Sequence, residues 1–251
     1  MEAMEILASG MVTGIGLNAQ ASCAAIRCGI TNFAETRFMD KGGEWIIVPA
    51  IQECLGSVKN ISVNEIPLLL CLAEKTRPGR LDGLDQTLLA EIEAALDVRL
   101  HSRSGTVEQG KVGGVIALKQ AMRLFAEEGI RYCLIAGVDS FLVASTLAAY
   151  EEKNRLQTSK NSDGFIPGEA GAAMLIGPTS EISETGLSCL GLGFGQERAT
   201  VESEDPLKAD GLVAAIRSAL SEAGRTMGDM DYRITDLSGE QYGFKEASLA
   251  L

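Results

Sequence analysis

Residues 110–139, GKVGGVIALKQAMRLFAEEGIRYCLIAGVD, constrain the fold more than any other stretch of the chain. The segment opens with glycines and then turns helical, with Val112, Ile116, Leu118, Met122, Leu124 and Phe125 recurring at three- and four-residue intervals. Gly129 is placed to end the helix, since glycine tolerates the positive φ of a helix C-terminus. Residues 132–136, YCLIA, then form an unbroken apolar run of the kind found in a strand covered on both faces. A glycine-rich turn, a helix and a buried strand in succession aim the helix N-terminus, with its unpaired N–H groups, at whatever stands in front of it. The chemistry of residues 110–114 therefore decides what such a chain can do.

The remaining composition narrows the class. The 251 residues are 46% hydrophobic, 22% charged and only 5% aromatic, with 28 glycines, which favours packed α/β layers around a substantial core. A net charge of −12 argues against nucleic acid or an anionic membrane as partner, because both require clustered Lys and Arg. Cys23, Cys28, Cys54, Cys71, Cys133 and Cys189 contain no CxxC pair, and most lie in apolar runs. They read as reduced thiols packed as small hydrophobes in a cytoplasmic protein, with no metal site and no cofactor signature. No apolar run approaches the length of a membrane span, and the N-terminus lacks the basic start of a signal peptide.

Along the chain, residues 5–9 read as a strand and residues 10–16, GMVTGIG, as a glycine-rich turn. Their spacing is not GxGxxG, so tight backbone packing is the expected role. Residues 19–28 are helical in pattern and stop at Gly29. Residues 32–49 have no clear period and include a turn-like Lys41-Gly42-Gly43, and residues 50–55 begin a helix. Residues 66–72 read as a buried strand, 75–83 as a polar connection and 86–96 as an amphipathic helix. His101, the single histidine, has no ligand-like spacing and reads as a surface or structural residue. Residues 141–150 are helical, 161–176 a tight loop followed by a strand, 187–194 a glycine-interrupted strand and 211–223 a helix ending at Gly224. Strands alternating with helices throughout predict an α/β layered fold.

Several of these segments together resemble the β-ketoacyl synthases, condensing enzymes of the thiolase fold. ASGMVTGIG is similar to their first strand and turn, and DGFIPGEAGAAMLIG, residues 163–177, to their DGF-PGEGA loop and strand. AGVDS, residues 136–140, falls where the family has a turn after the buried strand. Glu222-Ala223-Gly224 and Asp229-Met230-Asp231-Tyr232 look like the helix end and the strand before the family's first catalytic histidine. The resemblance implies a thiolase-like αβα fold over residues 1–251 as a single domain, with a first half of about 1–180 and a partial second half of about 181–251. It also implies a homodimer built across a central strand.

The same resemblance locates what is missing. The family's nucleophilic cysteine opens the central helix, where the helix field lowers its pKa and backbone N–H groups face the oxyanion. Gly110-Lys111-Val112-Gly113-Gly114 stand there instead, with Lys111 in the cysteine's place, or Gly110 if the register slips by one. A lysine at that point is an ammonium ion disfavoured by the helix N-terminus, expected to face solvent or pair with a carboxylate unless its pKa is strongly depressed. The first histidine falls near Asp236, and the sequence ends at Leu251, before the second histidine. The second half is therefore expected to be incomplete, leaving a sheet edge that must be covered.

Two functional expectations follow. The first is a non-catalytic relative that binds protein, an adaptor or chaperone. Residues 23–27 and 33–45 are similar to a degenerate subgroup, labelled 3-oxoacyl-ACP synthases and encoded beside type VI secretion genes, which implies an effector as client. The second is an acyltransferase or acyl-thioester-binding protein that still receives an acyl carrier protein and its pantetheine arm. Its candidate polar groups are Lys111, Asp236, Glu240 and Glu246, with Gly110, Gly113, Gly114 and Phe165 lining the pocket.

Overall fold

The computed structural model describes residues 3–31, 46–58, 61–179 and 186–250. Its elements run β1 (Met4–Thr13), α1 (Ala19–Arg27), α2 (Ile47–Gly56), β2 (Leu68–Leu72), α3 (Leu84–Leu96), β3 (Gly105–Glu108) and α4 (Gly113–Glu128). They continue with β4 (Cys133–Ser140), α5 (Ala144–Glu152), β5 (Glu169–Pro178), β6 (Leu187–Cys189), α6 (Asp210–Ala223) and α7 (Gln241–Leu249). The turn-like Lys41-Gly42-Gly43 and the segment 33–45 lie outside the described residues.

The chain divides into two compact units. The larger contains Met4–Leu147 and Gly168–Ser188, and the smaller contains Ala148–Pro167 and Cys189–Leu251 together with the N-terminal residues. In the larger unit the strands form one mixed sheet in the order β3-β2-β4-β5-β1-β6. β2 is parallel to β3 and β4, whereas β5 is antiparallel to both β4 and β1. On one face Leu68, Leu70 and Leu72 of β2 pack with Ile47 and Ile51 of α2 and Leu88 and Ile92 of α3, and all seven are essentially inaccessible to water. On the other face α4 lies against β2 and β4. The layers are the αβα arrangement expected, built because β2 is apolar on both sides.

Glycine decides how closely these layers meet. A Cβ on Gly10 would overlap the backbone of Ala50, and one on Gly171 would press on Ile46 O at 3.0 Å, so β1 and β5 admit α2 backbone to backbone. Two expected turns are strand instead. Residues 10–13 continue β1 instead of turning, pairing Gly10 with Ala173 and Val12 with Gly171. Residues 137–140 extend β4, with Gly137 opposite Ala172 and Ser140 opposite Glu169. Gly10 serves close packing within its strand, whereas a Cβ on Gly137 would make only ordinary contact with Cys71. The buried face of α4 also differs from the apolar periodicity: Gly113, Ala117 and Ala121, four residues apart, are the buried ones, while Val112 is 54% exposed. Small residues on one stripe let the helix axis approach the sheet, and the larger apolar side chains flank it.

The smaller unit repeats this device. Residues 190–195 run alongside α6 with Gly191, Gly193 and Gly195 against Ala219, Ala215 and Gly211, where any Cβ would collide with helix backbone. The expected strand 187–194 is therefore paired only over Leu187–Cys189; beyond it no backbone ladder is made among the described residues. The strand expected before Asp236 is likewise absent from the ladders, and residues 231–239 are exposed.

Candidate functional site

Everything at the tip of α4 follows from how β2 ends. After Leu72 the chain makes a turn closed by Arg77 N to Glu74 O (2.9 Å), which sets Glu74 and Arg77 on one side. Arg77 then donates twice to the Glu74 carboxylate, from Nε to Oε1 (3.0 Å) and from Nη2 to Oε2 (2.9 Å). Its Nη1 donates to Asp139 Oδ1 at 3.0 Å, from the far end of β4. The guanidinium carbon also stands 4.2 Å from the centroid of the Phe141 ring. The Arg77 side chain is only 4% exposed, whereas Glu74 and Asp139 each keep more than a third of theirs in water. Burial by itself would raise the Glu74 carboxyl. The hydrogen bonds from Arg77 and the positive charges of Arg77 and Lys111 outweigh it and hold Glu74 below the ordinary carboxylate range.

The expected site residues arrange around this network. Gly110 has φ +51°, and a Cβ there would run into the Glu74 carboxylate, so only glycine allows that carboxylate to sit at the start of the helix. Lys111 is exposed in the single 3₁₀ turn that precedes α4, close enough to favour ionised Glu74. Gly113 is buried against Cys71 of β2, 3.3 Å from its Cβ and 3.7 Å from its Sγ as measured from where a side chain would start. Gly114 is half-buried with open space beside it.

A thiol thus lies beside the first turn of α4, contributed by β2 instead of by the helix. Its chemistry is the reverse of a nucleophile's. Burial pushes Cys71 up to about 11, and no charged group or hydrogen bond draws it back. Cys133 and Cys54 are raised in the same way, to about 12 and about 11. The single histidine is remote from this role; His101 Nδ1 accepts from Arg103 N at 3.1 Å in an exposed turn. No group of His, Cys, Asp or Glu among the described residues has the spacing to hold a metal ion.

Next to the network is a cavity of about 110 Å³, lined by Leu81, Leu84, Leu88, Val138 and Val143 together with Arg77 and Asp139. Arg80, 9% exposed, shares that wall but is tied to Ala73 O and Asp85. The space is apolar in character and large enough for a short aliphatic group.

The other expected residues belong to the smaller unit and serve its architecture. Asp163 accepts from Gln241 N at 2.7 Å and so satisfies the first donor of α7. Phe165 is buried edge-on against Tyr150, with centroids 5.2 Å apart. Glu240 accepts two hydrogen bonds from Arg155, at 2.7 and 3.0 Å. Asp236 is exposed, and its charge reaches Glu246. Burial first, then Glu197 and Asp236, push the Glu246 carboxyl above its ordinary value. Glu74, Arg77, Asp139 and Phe141 escaped the sequence reading because Arg77 falls in a segment that reads only as a polar connection, Glu74 just before it, Asp139 in a presumed turn and Phe141 at the start of a presumed helix.

Comparison with solved structures matches this arrangement of strands and helices repeatedly. A type II polyketide acyl-carrier protein in complex with its ketosynthase superimposes with a TM-score of 0.76 at 12% identity, over 99% of this chain and 76% of that one. The fold is that of the ketosynthases. The ishigamide ketosynthase/chain length factor gives 0.73 at 15% identity, over 99% of this chain and 76% of that one. The ketosynthase from module 6 of the bacillaene synthase of Bacillus subtilis 168 gives 0.66 at 13% identity, over 89% of this chain. This chain spans about half the length of the Bacillus ketosynthase, 48%. No family model matches the sequence, and no curated protein matches it either. No helix among the described residues is long and apolar enough to cross a membrane.

Proposed function

We propose that this chain is a non-catalytic ketosynthase-fold protein that binds other proteins, an adaptor or chaperone whose client is a type VI secretion effector. The observation that carries the reading is the Glu74–Arg77–Asp139 network at the tip of α4. An anion–cation–anion cluster stands where a nucleophile would need an open, electropositive seat, and the adjacent thiol is held protonated by burial. A neutral thiol without a neighbouring base has no route to an acyl-enzyme. The effector client is drawn from the resemblance of residues 23–27 and 33–45 to secretion-associated proteins. Homodimerisation is part of the same proposal: β3 lies at the edge of the sheet, with one side unpaired among the described residues, and a second copy would close it. The matched structures include a ketosynthase/chain length factor and a ketosynthase in complex with its acyl-carrier protein, so this fold elsewhere serves pairing of both kinds.

The test is co-expression with the products of neighbouring genes, followed by purification and mass determination of the complex. One stoichiometric partner carried through gel filtration supports the adaptor; turnover of acyl-ACP by the isolated chain overturns it. The apolar cavity beside Arg77 favours a second reading, in which a short acyl group on a pantetheine arm is held without being transferred. Under that reading a butyryl thioester protects the protein against heat, and Leu84→Trp, which fills the cavity, removes the protection.

A further inference from the structure

The sequence contains three Asp-Gly pairs, Asp82-Gly83, Asp163-Gly164 and Asp210-Gly211. In such a pair the glycine nitrogen can attack the preceding side-chain carboxyl, because no Cβ stands in the way. In a folded chain the attack requires a free carboxyl, a free glycine N–H and room for both to turn. Two of the pairs are locked. Asp163 accepts from Gln241 N at 2.7 Å, and a Cβ on the buried Gly164 would stand 2.5 Å from the carbonyl carbon of Leu156. Asp210 opens α6, where the helical ψ holds its carboxyl carbon away from the next nitrogen. Gly211 N donates to Glu197 Oε2 at 3.1 Å, and the glycine itself is pressed on the backbone of Gln196 and Glu197.

Asp82-Gly83 differs on every count. Both residues are exposed in the turn that leads into α3. Among the described residues no donor reaches the Asp82 carboxylate, and Gly83 N has no acceptor. Gly83 has φ +68°, and a Cβ there would meet only Thr87 Oγ1, at 3.9 Å, so the backbone has room to rotate. The turn is fastened away from the reacting atoms. Arg80 N donates to Arg77 O at 3.2 Å on one side, and Gly83 O accepts from Gln86 N and Thr87 N at 3.0 Å on the other.

We infer that Asp82 is a site of spontaneous isoaspartate formation in the folded protein, and that Asp163 and Asp210 are protected. Gly83 N attacks Cγ of the un-ionised Asp82 carboxyl. The N–Cγ bond forms, one Cγ–O bond breaks, and the hydroxyl leaves as water with the amide proton. Water then opens the succinimide ring. Addition at Cγ restores aspartate, whereas addition at the Asp82 main-chain carbonyl breaks the original peptide bond and leaves the chain running through Cγ. The product has one extra backbone carbon between Leu81 and Leu84, both of which line the cavity beside Arg77, so the modification alters the wall of that cavity. It is independent of whether the α4 tip is catalytic.

The test is ageing of the whole chain for weeks in warm, mildly acidic buffer, beside a sample unfolded in urea. Peptide mapping with electron-transfer fragmentation, which tells isoaspartate from aspartate of equal mass, reads each site. In the folded chain isoaspartate is expected to accumulate at Asp82 about tenfold faster than at Asp163 or Asp210, and in urea that gap is expected to close. A ring-closed form lighter by one water is expected in the Asp82 peptide before isoaspartate builds up. Asp82→Glu, which keeps the charge at an exposed position but needs a larger ring, removes the signal and leaves the thermal transition unchanged. Equal isoaspartate at Asp82 and either other site in the folded chain overturns the inference, as does none at Asp82 while the urea sample forms it. An unchanged ranking in urea overturns it too, by assigning the selectivity to neighbouring sequence instead of the fold. Acyl-ACP turnover would defeat the non-catalytic reading and leave this result unaffected.

Discussion

Replacing Arg77 by alanine strips Glu74 and Asp139 of their shared cation and leaves a void beside Phe141. We expect a loss of about 3 kcal/mol in urea unfolding, the lower end for breaking a buried pair, because both carboxylates reach water. Arg77→Lys recovers little, since an ammonium cannot make the two parallel bonds to Glu74 or lie flat on an aromatic ring. Glu74, depressed in the folded protein, contributes stability that is present above its unfolded pKa and lost as pH falls through the lower folded value. Glu246 has the opposite sign. Its folded pKa is raised, so its favourable contribution is present below the unfolded value and disappears as pH rises through the folded one. Glu246→Gln is therefore expected to raise Tm by about 2 °C at neutral pH, a gain absent in mild acid when measured by scanning calorimetry. Thiol reactivity offers a third check at this scale. Brief iodoacetamide treatment at neutral pH is expected to label the exposed Cys23 and Cys28 and to spare Cys54, Cys71 and Cys133, as read by peptide mass mapping.

Several elements of this chain meet through glycine and alanine, beside a core of large aliphatic side chains. Gly193 against Ala215 of α6 is the sharpest case, and Gly193→Val is expected to unfold the smaller unit in a separate transition at lower temperature, visible by calorimetry. The same habit explains what could and could not be read from the sequence. α4, β2 and α3 were legible because their apolar residues recur with the helical period or run unbroken. The ends of β1 and β4 were not, because Gly10 and Gly137 carry the local signal of a turn, although Gly10 meets α2 backbone to backbone and both glycines pair within the sheet. β3 was invisible as a strand: Gly105-Thr106-Val107-Glu108 buries only Val107 and owes its conformation to pairing with β2. The place of the candidate site was legible from the glycines at 110–114, but its content was not. Arg77 is buried through partners 62 residues away at Asp139, a relation that no local pattern carries.

At the scale of the molecule, a ketosynthase fold carries an ion network at the start of α4 and a buried thiol beside the first turn of that helix. The open edge at β3 predicts self-association, and light scattering on the purified chain is expected to give a mass near twice 26.5 kDa. The central claim is that this tip forms no acyl-enzyme, and intact-mass spectrometry after incubation with acyl-ACP and acyl-CoA tests it most directly. The account predicts an unshifted mass for the wild-type chain and for Cys71→Ala alike. An acyl adduct on the wild type that is lost in Cys71→Ala would contradict it.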